Sequence, residues 1–465
     1  MKKKLFKLRD EARKLGADFA EFRFVEKNIT NIQLQDKKID KLDTGNVFGM
    51  GIRVLYDGAW GFASTNSDKD SDIKQCLLDA LEIAKIVSRN RKEKIILAKA
   101  PAVEGEVEIP VKINPRNVSL KEKIKMLRQH ESVVISKAKD YLANLRIFYH
   151  DLYHTETLCN TYGTFLKQSF CLNKIYVFVV TQDGNIRQSG LRFTGRVGGY
   201  EVMKEIDPEK FSIHAATDAL DLLTAKPPKA GAFPTILDPS LVGLFVHEAF
   251  GHNAEADLVQ GGDSIIKGKV GDQIASPLVT IIDDGSIPET HGHYIFDSEG
   301  VPAQKTILIE NGVLKGFMYN LQTAGAAGTT STGNGRSQDH RFPPIVRQSV
   351  TYMLPGDTKE EDLYKDIDEG VYLKGFGGGY VDTSRGQFTF NANRAWMIKN
   401  GKLAEPLRDV CVSGLTLETL SNIEAIGNVL HINEPGTCGK DGQGMPVDNG
   451  GPMVRVSKMV IGGQE

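Results

Sequence analysis

The chain has 465 residues, 40% hydrophobic and 25% charged, with 57 Lys and Arg against 59 Asp and Glu. This is the balance of a globular protein with room for two or three domains, and no run approaches the roughly 18 consecutive apolar residues of a membrane span. The basic start MKKKLFKLRDEARKLG passes into charged residues where a signal peptide needs an apolar core, and Cys76, Cys159, Cys171, Cys411 and Cys438 form neither a disulfide framework nor a CxxC pair, so a cytoplasmic protein is expected.

Leu5, Leu8, Ala12 and Leu15 recur at helical spacing before Gly16, so an amphipathic helix opens the chain. Strands follow: Ala20, Phe22 and Phe24 alternate with Glu21 and Arg23, Ile32 and Leu34 alternate with glutamines, and MGIRVLYDGAWGF turns at Asp57-Gly58. A second helix runs from about Ser71 through Ala84, and a third starts at Ser119, which with Glu122 spells a capping box. The segment IYVFVVTQDGNI reads as strands turning at Asp183-Gly184, and Asp207 with Pro208 announces another helix.

The prolines and glycine of 226–231 read as a linker, which divides the chain at 230/231. Residues 1–230 carry a net charge of +9 and 13 of the 47 glycines; residues 231–465 carry −11 and the other 34. The basic excess is dispersed over helical surfaces such as Lys121 to Lys125, without the clustered cations and aromatics of a nucleic-acid face. The second half reads as a short strand, one long helix and a strand-rich remainder with hairpins at Asn311-Gly312 and Asn400-Gly401. The expected fold class is therefore α+β: a mixed N-terminal α+β domain, 1–230, and a β-rich, antiparallel or barrel-like C-terminal domain, 231–465, built around a buried helix.

That helix, DPSLVGLFVHEAFGHNAEADL, has Asp238 as cap and Pro239 at its first position, and Leu241 through Phe250 leave it almost no polar face. Inside it sit His247, Glu248 and His252. An unpaired buried carboxylate costs several kcal/mol, and a metal ion beside the helix would account for all three polar residues, whereas core histidines bonded to backbone carbonyls are the blander alternative. Histidines five apart lie about 140° from alignment on a regular helix, against about 40° for the HExxH spacing. A π-bulge or helix break at Ala249–Gly251 is therefore expected, eased by Gly251.

Catalytic zinc needs a third protein donor. Glu255 and Asp257 are candidates, or orient the histidines from outside the ligand set; His291 and His293 would share a strand face, as surface histidines or a separate weak metal site; Cys411 lies in an apolar strand; His340 and His431 stand alone. Cys438 falls in EPGTCGKDGQGMPVDNGGP, too rich in Gly and Pro for a regular element, so it is expected on a loop, with Lys440 near enough to stabilise a thiolate.

HEAFGHNAEAD at 247–257, DDGS and FDSEGVPAQKTILIENGVLKG within 283–316, STGNGR at 331–336 and CGKDGQGMPVDNGGP at 438–452 closely resemble the TldD branch of the TldD/PmbA metalloproteases, and the likeness extends over nearly the whole chain. The resemblance implies zinc held by His247, His252 and Cys438, with Glu248 as the catalytic carboxylate. It also implies an active chain, since the sister PmbA (TldE) branch lacks HExxxH, and a dimer, either with itself or with an inactive TldE/PmbA-like paralogue, around an enclosed chamber. Unfolded or short peptides, including leader peptides and small antitoxins, are the implied substrates. The run RSQDHRF at 336–342 departs from the relatives, which tend to have a second arginine beside Arg336. Backbone N–H groups of the glycine-rich segments or Arg336 are candidate oxyanion donors, and a strand edge of the second half is the expected peptide-binding element. The competing expectation is a non-hydrolytic peptide-binding or regulatory subunit with a structural, four-ligand zinc.

Overall fold

Leu5, Leu8 and Ala12 are buried along one face of the helix Lys2–Lys14, and Gly16 beyond it takes φ +85°. This computed structural model describes residues 1–463. The first sheet runs Ala59–Thr65, Lys38–Tyr56, Phe19–Gln35, Leu142–Asn160, Phe165–Asp183, with Glu104–Glu108 and Ile186–Val197 both paired to the last. The Asp57-Gly58 turn is a two-residue hairpin, both residues at positive φ, closed by Tyr56 opposite Ala59. The later turn falls one residue beyond the expected place: Asp183 pairs with Ile186, so Gly184 and Asn185 are central and only Gly184 takes positive φ.

One face of this sheet is covered by helices. Ile73, Leu77 and Leu81 of Asp70–Ser88 pack on Phe22, Phe24 and Ile52. Leu127 and Val134 of Leu120–Ala138 and Ala215, Ala216 and Ala219 of Pro208–Leu222 pack on Ile32, Leu34, Ile147 and Val177. Ser119 accepts from the Glu122 N–H at 3.2 Å, while the Glu122 carboxylate turns outward to Lys204. The alternation of Glu21 and Arg23 suggests a wet opposite face, yet both are 1% exposed because the second half of the chain covers it.

In that second half, Glu369–Asp382, Gly231–Leu237, Val454–Gly463, Val410–Leu415 and Gln387–Lys399 pair in sequence and the last pairs back to the first, closing a five-stranded barrel. A separate sheet contains Lys305–Glu310, Ile281–Asp284, Val350–Met353 and Gln443–Gly451. Both Asn-Gly hairpins form with positive φ at both central residues. Among the described residues, no helix is long and apolar enough to cross a membrane.

The motif helix is wedged between the barrel and this sheet: Leu241, Val242, Phe245, Val246 and Phe250 share one core with Leu373, Phe388 and Val456 of the barrel and Ile281 and Met353 of the sheet. Asp238 caps it, accepting from Leu241 N–H at 2.9 Å. The expected long helix is three segments: α-helical Pro239–Phe245, a π-helical turn Val246–Gly251 and a 3₁₀ turn His252–Ala254. The His252 N–H bonds to the His247 carbonyl, five residues back. That carbonyl also accepts from Gln348 Nε2 at 3.1 Å. Gly251 has ordinary helical φ of −59°, so its role is space: a Cβ there would lie 1.9 Å from Gln348 Oε1.

Gly251→Ala should therefore cost about 1–3 kcal/mol through overpacking, whereas Gly439→Ala, where a Cβ meets nothing within 4 Å, should stay within about 0.5 kcal/mol. Denaturant midpoints of the two variants measure this; equal midpoints would mean that Gln348 yields freely.

Candidate metal centre

The wider turn brings the two histidines together. Their ring centroids lie 5.2 Å apart at an interplanar angle of 80°. The Cys438 Sγ is 3.4 Å from His252 Nε2, and donor atoms of His247, His252 and Cys438 all fall within 4.8 Å of one another. No other group of three or more His, Cys, Asp or Glu donors converges in this way among the described residues.

Cys438 is not on a loop. It lies in the strand Gly436–Lys440, which pairs with Gln443–Gly451 through a turn at Asp441-Gly442, both at positive φ, and it is 6% exposed. The Asp-Gly pair is a hairpin signal that the sequence reading passed over, because the surrounding glycines obscure the alternation that marks strands. One of them, Gly450, is required by close approach, since a Cβ would lie 2.1 Å from the His431 carbonyl oxygen. Buried Arg347 fixes the hairpin by donating to the carbonyls of Cys438 and of Gln443, the latter at 3.1 Å.

Glu248 also departs from expectation. Its side chain is 37% exposed, whereas His247 beside it is 2% exposed. With His247 and Cys438 it lines a cavity of 210 Å³ whose apolar wall includes Phe193, Leu244 and Phe376. Glu248 Oε2 is 3.7 Å from His252 Nε2. A larger cleft of 470 Å³ shares Phe193, Ser240, Phe376 and Glu434 with this cavity.

Glu255 accepts from His252 Nδ1 at 2.9 Å and is wholly buried. Burial opposes its ionisation, but the charges of His252 and Lys440 outweigh burial and bring the carboxyl down to about 2. Asp257 does not touch either histidine; it holds Lys440 Nζ at 2.7 and 2.8 Å. Lys440 thus binds carboxylates rather than lying against the thiol. For Cys438, burial again opposes ionisation, while hydrogen bonds and charge from His247 and His252 prevail and lower the thiol to about 5.

The remaining candidates lie elsewhere. Arg336 donates to the carbonyls of Gln348 at 2.6 Å and Pro446 at 2.8 Å. Its guanidinium is committed to backbone carbonyls, and the cavity beside Glu248 is lined by other residues. His291 and His293 are not strand neighbours on a surface: His291 is 2% exposed, and the two rings bond separately to the carbonyls of Val447 and Gly285. His340 is buried against the first sheet and bonds Asn66, Cys411 sits in the strand Val410–Leu415, and His431 is exposed. Sequence reasoning missed Arg347 and Gln348, whose polar side chains in PPIVRQSV carry no motif.

Three family models match in succession: PmbA/TldA metallopeptidase domain 1 over residues 20–84, the central domain over 113–223 and the C-terminal domain over 230–463. A metalloprotease from Methanothermobacter thermautotrophicus is 37% identical over 447 residues, 96% of each chain. The zinc metalloprotease TldD homolog of Saccharolobus solfataricus is 29% identical, covering 99% of this chain and 100% of its own. TldE from Thermococcus kodakarensis has the same fold, with a TM-score of 0.81 at 21% identity over 99% of this chain and 100% of that one. With metallopeptidase models over all three regions and the Methanothermobacter relative aligned over 96% of each chain, the chain belongs to the TldD/PmbA metallopeptidase family.

Proposed function

We propose that this chain is a zinc-dependent metallopeptidase that hydrolyses unfolded or short peptides, with His247, His252 and Cys438 as zinc ligands and Glu248 as general base. The observation that carries the reading is the convergence of two imidazoles and a thiol within 4.8 Å beside a carboxylate that opens on a cavity. This donor set fits zinc, which takes nitrogen and sulfur ligands in tetrahedral sites and, in catalytic ones, keeps a position open. Three grouped donors among the described residues favour this over a structural zinc with four protein ligands.

Bound there, zinc supplies Lewis acidity toward water and a scissile carbonyl. The chain's own groups do the rest. His252 donates Nδ1–H to Glu255, which fixes the tautomer and leaves Nε2 free toward Cys438 and Glu248. Glu248 accepts a proton from the attacking water in the cavity and returns it to the leaving amine. The apolar wall of Phe193, Leu244 and Phe376 limits competing water. The strand Gly436–Lys440 pairs on one side only, and its residues 436–438 line the cavity, so an extended peptide adds along its free edge by main-chain bonds.

The chain divides into domains at 230/231, works in the cytoplasm without a nucleic-acid or membrane partner, and forms a dimer, either with itself or with an inactive TldE/PmbA-like paralogue.

Glu248→Ala should retain zinc and lose at least about 100-fold in hydrolysis, whereas Cys438→Ala should lose zinc as well. Metal content and cleavage of an unfolded peptide, measured on the same preparations, separate the two; undiminished hydrolysis by Glu248→Ala would refute the base assignment. A cavity of 210 Å³ admits an extended chain but no folded domain. One substrate presented folded and unfolded should therefore be cut only when unfolded, and equal rates would argue against a restricted site.

A further inference from the structure

Cys438 and His252 are 186 residues apart in sequence, so their spacing depends on contacts between segments rather than on the local chain. Lys440 follows Cys438 by two residues and shares its strand face. Its Nζ meets four oxygens: Asp257 Oδ1 and Oδ2 at 2.7 and 2.8 Å, Glu255 Oε2 at 3.1 Å and the Val346 carbonyl at 3.1 Å. The lysine side chain is 8% exposed and that of Glu255 is 0% exposed. The Glu255 oxygen that takes the lysine is the same one that accepts from His252 Nδ1. One atom therefore joins the cysteine hairpin to the imidazole of the motif.

We propose that Lys440 is a positioning residue: it clamps the cysteine hairpin to the carboxylate that aims His252, and so sets the spacing of the ligating groups and the tightness of zinc binding. This rests on the metal reading above. A surface ion pair would have little effect, but here both side chains are shielded from water and the carboxylate of Glu255 has no route to solvent. Four oxygens around one nitrogen suit a compact ammonium and not the planar fork of arginine, so Lys440→Arg is expected to behave as a loss rather than a rescue.

The test uses the full chain, zinc titrated against a chromophoric chelator, and the thiolate-to-metal absorption of the Co²⁺ form. Lys440→Met should weaken zinc binding by about 10- to 100-fold and lower the cobalt–thiolate band at equal cobalt. Glu255→Gln should fall in the same range, and the double variant should bind no worse than the weaker single one, because both substitutions break one link. If Lys440→Met does not fold, Asp257→Asn serves in its place and should still lower affinity several-fold. Wild-type affinity with an unchanged band in the variant that folds, or losses that multiply in the double variant, would overturn the clamp and leave the metal site standing. A wild-type chain that takes up neither zinc nor cobalt would overturn the metal reading and the clamp with it.

Discussion

A single backbone hydrogen bond, from the His252 N–H to the carbonyl of His247, underlies the rest of the site. On regular helical geometry the two side chains would point about 140° apart; the wider turn brings their rings to 5.2 Å. A π-turn gives up regular i to i−4 bonds and persists here because its surroundings leave no alternative. Phe245, Val246, Ala249 and Phe250 are buried around it, so it cannot unwind without exposing apolar surface. Gln348 donates to the same His247 carbonyl, and Gly251 leaves room for it to do so.

Gln348 is itself oriented from below. Its Oε1 lies 2.8 Å from the Thr351 hydroxyl, which is also 2.9 Å from Asp283 Oδ1. One proton cannot serve both. Asp283 also accepts from the Ser349 N–H, the Ser349 hydroxyl and the Asn334 amide, and the His247 carbonyl, which can only accept, requires the nitrogen of the Gln348 amide. This fixes the amide with its oxygen toward Thr351 and its nitrogen toward His247. The wholly buried Thr351 thus bears on the candidate metal centre through a hydrogen bond to one side chain.

Signals confined to a few residues were legible in the sequence. Asp238 with Pro239 starts the motif helix, the Asn-Gly pairs close hairpins, and the five-residue histidine spacing demands a distorted turn. Signals that depend on distant partners were not. Glu21 and Arg23 alternate with apolar residues as a solvent face would, yet Arg23 reaches the carbonyls of Asp339 and Phe342, and the neighbouring Arg53 binds Glu299 at 2.8 Å, 246 residues away. Removing one member of such a buried charge group costs about 3–5 kcal/mol, although the intact group adds little over a well-packed apolar one. It serves here to fix the placement of residues 336–342. Arg336, at the edge of that run, is held in turn by the carbonyls of Gln348 and Pro446.

The segment 346–348 connects these facts. Arg347 donates to the carbonyls of Cys438 and Gln443, and Gln348 donates to the carbonyl of His247. The Val346 carbonyl takes Lys440. Three consecutive residues therefore touch both segments that supply the candidate ligands, through backbone atoms on either side and without contributing a ligand. A displacement of this segment would therefore disturb the hairpin and the π-turn at once. The remaining contacts oppose such a displacement. Arg336 bonds to the Gln348 carbonyl, Ser349 is anchored twice on Asp283, and Ile345 and Val346 pair with Arg336 and Gly335. The spacing of the donor cluster thus depends on the restraint of one short segment that bonds to both of its sides as well as on the residues that form it.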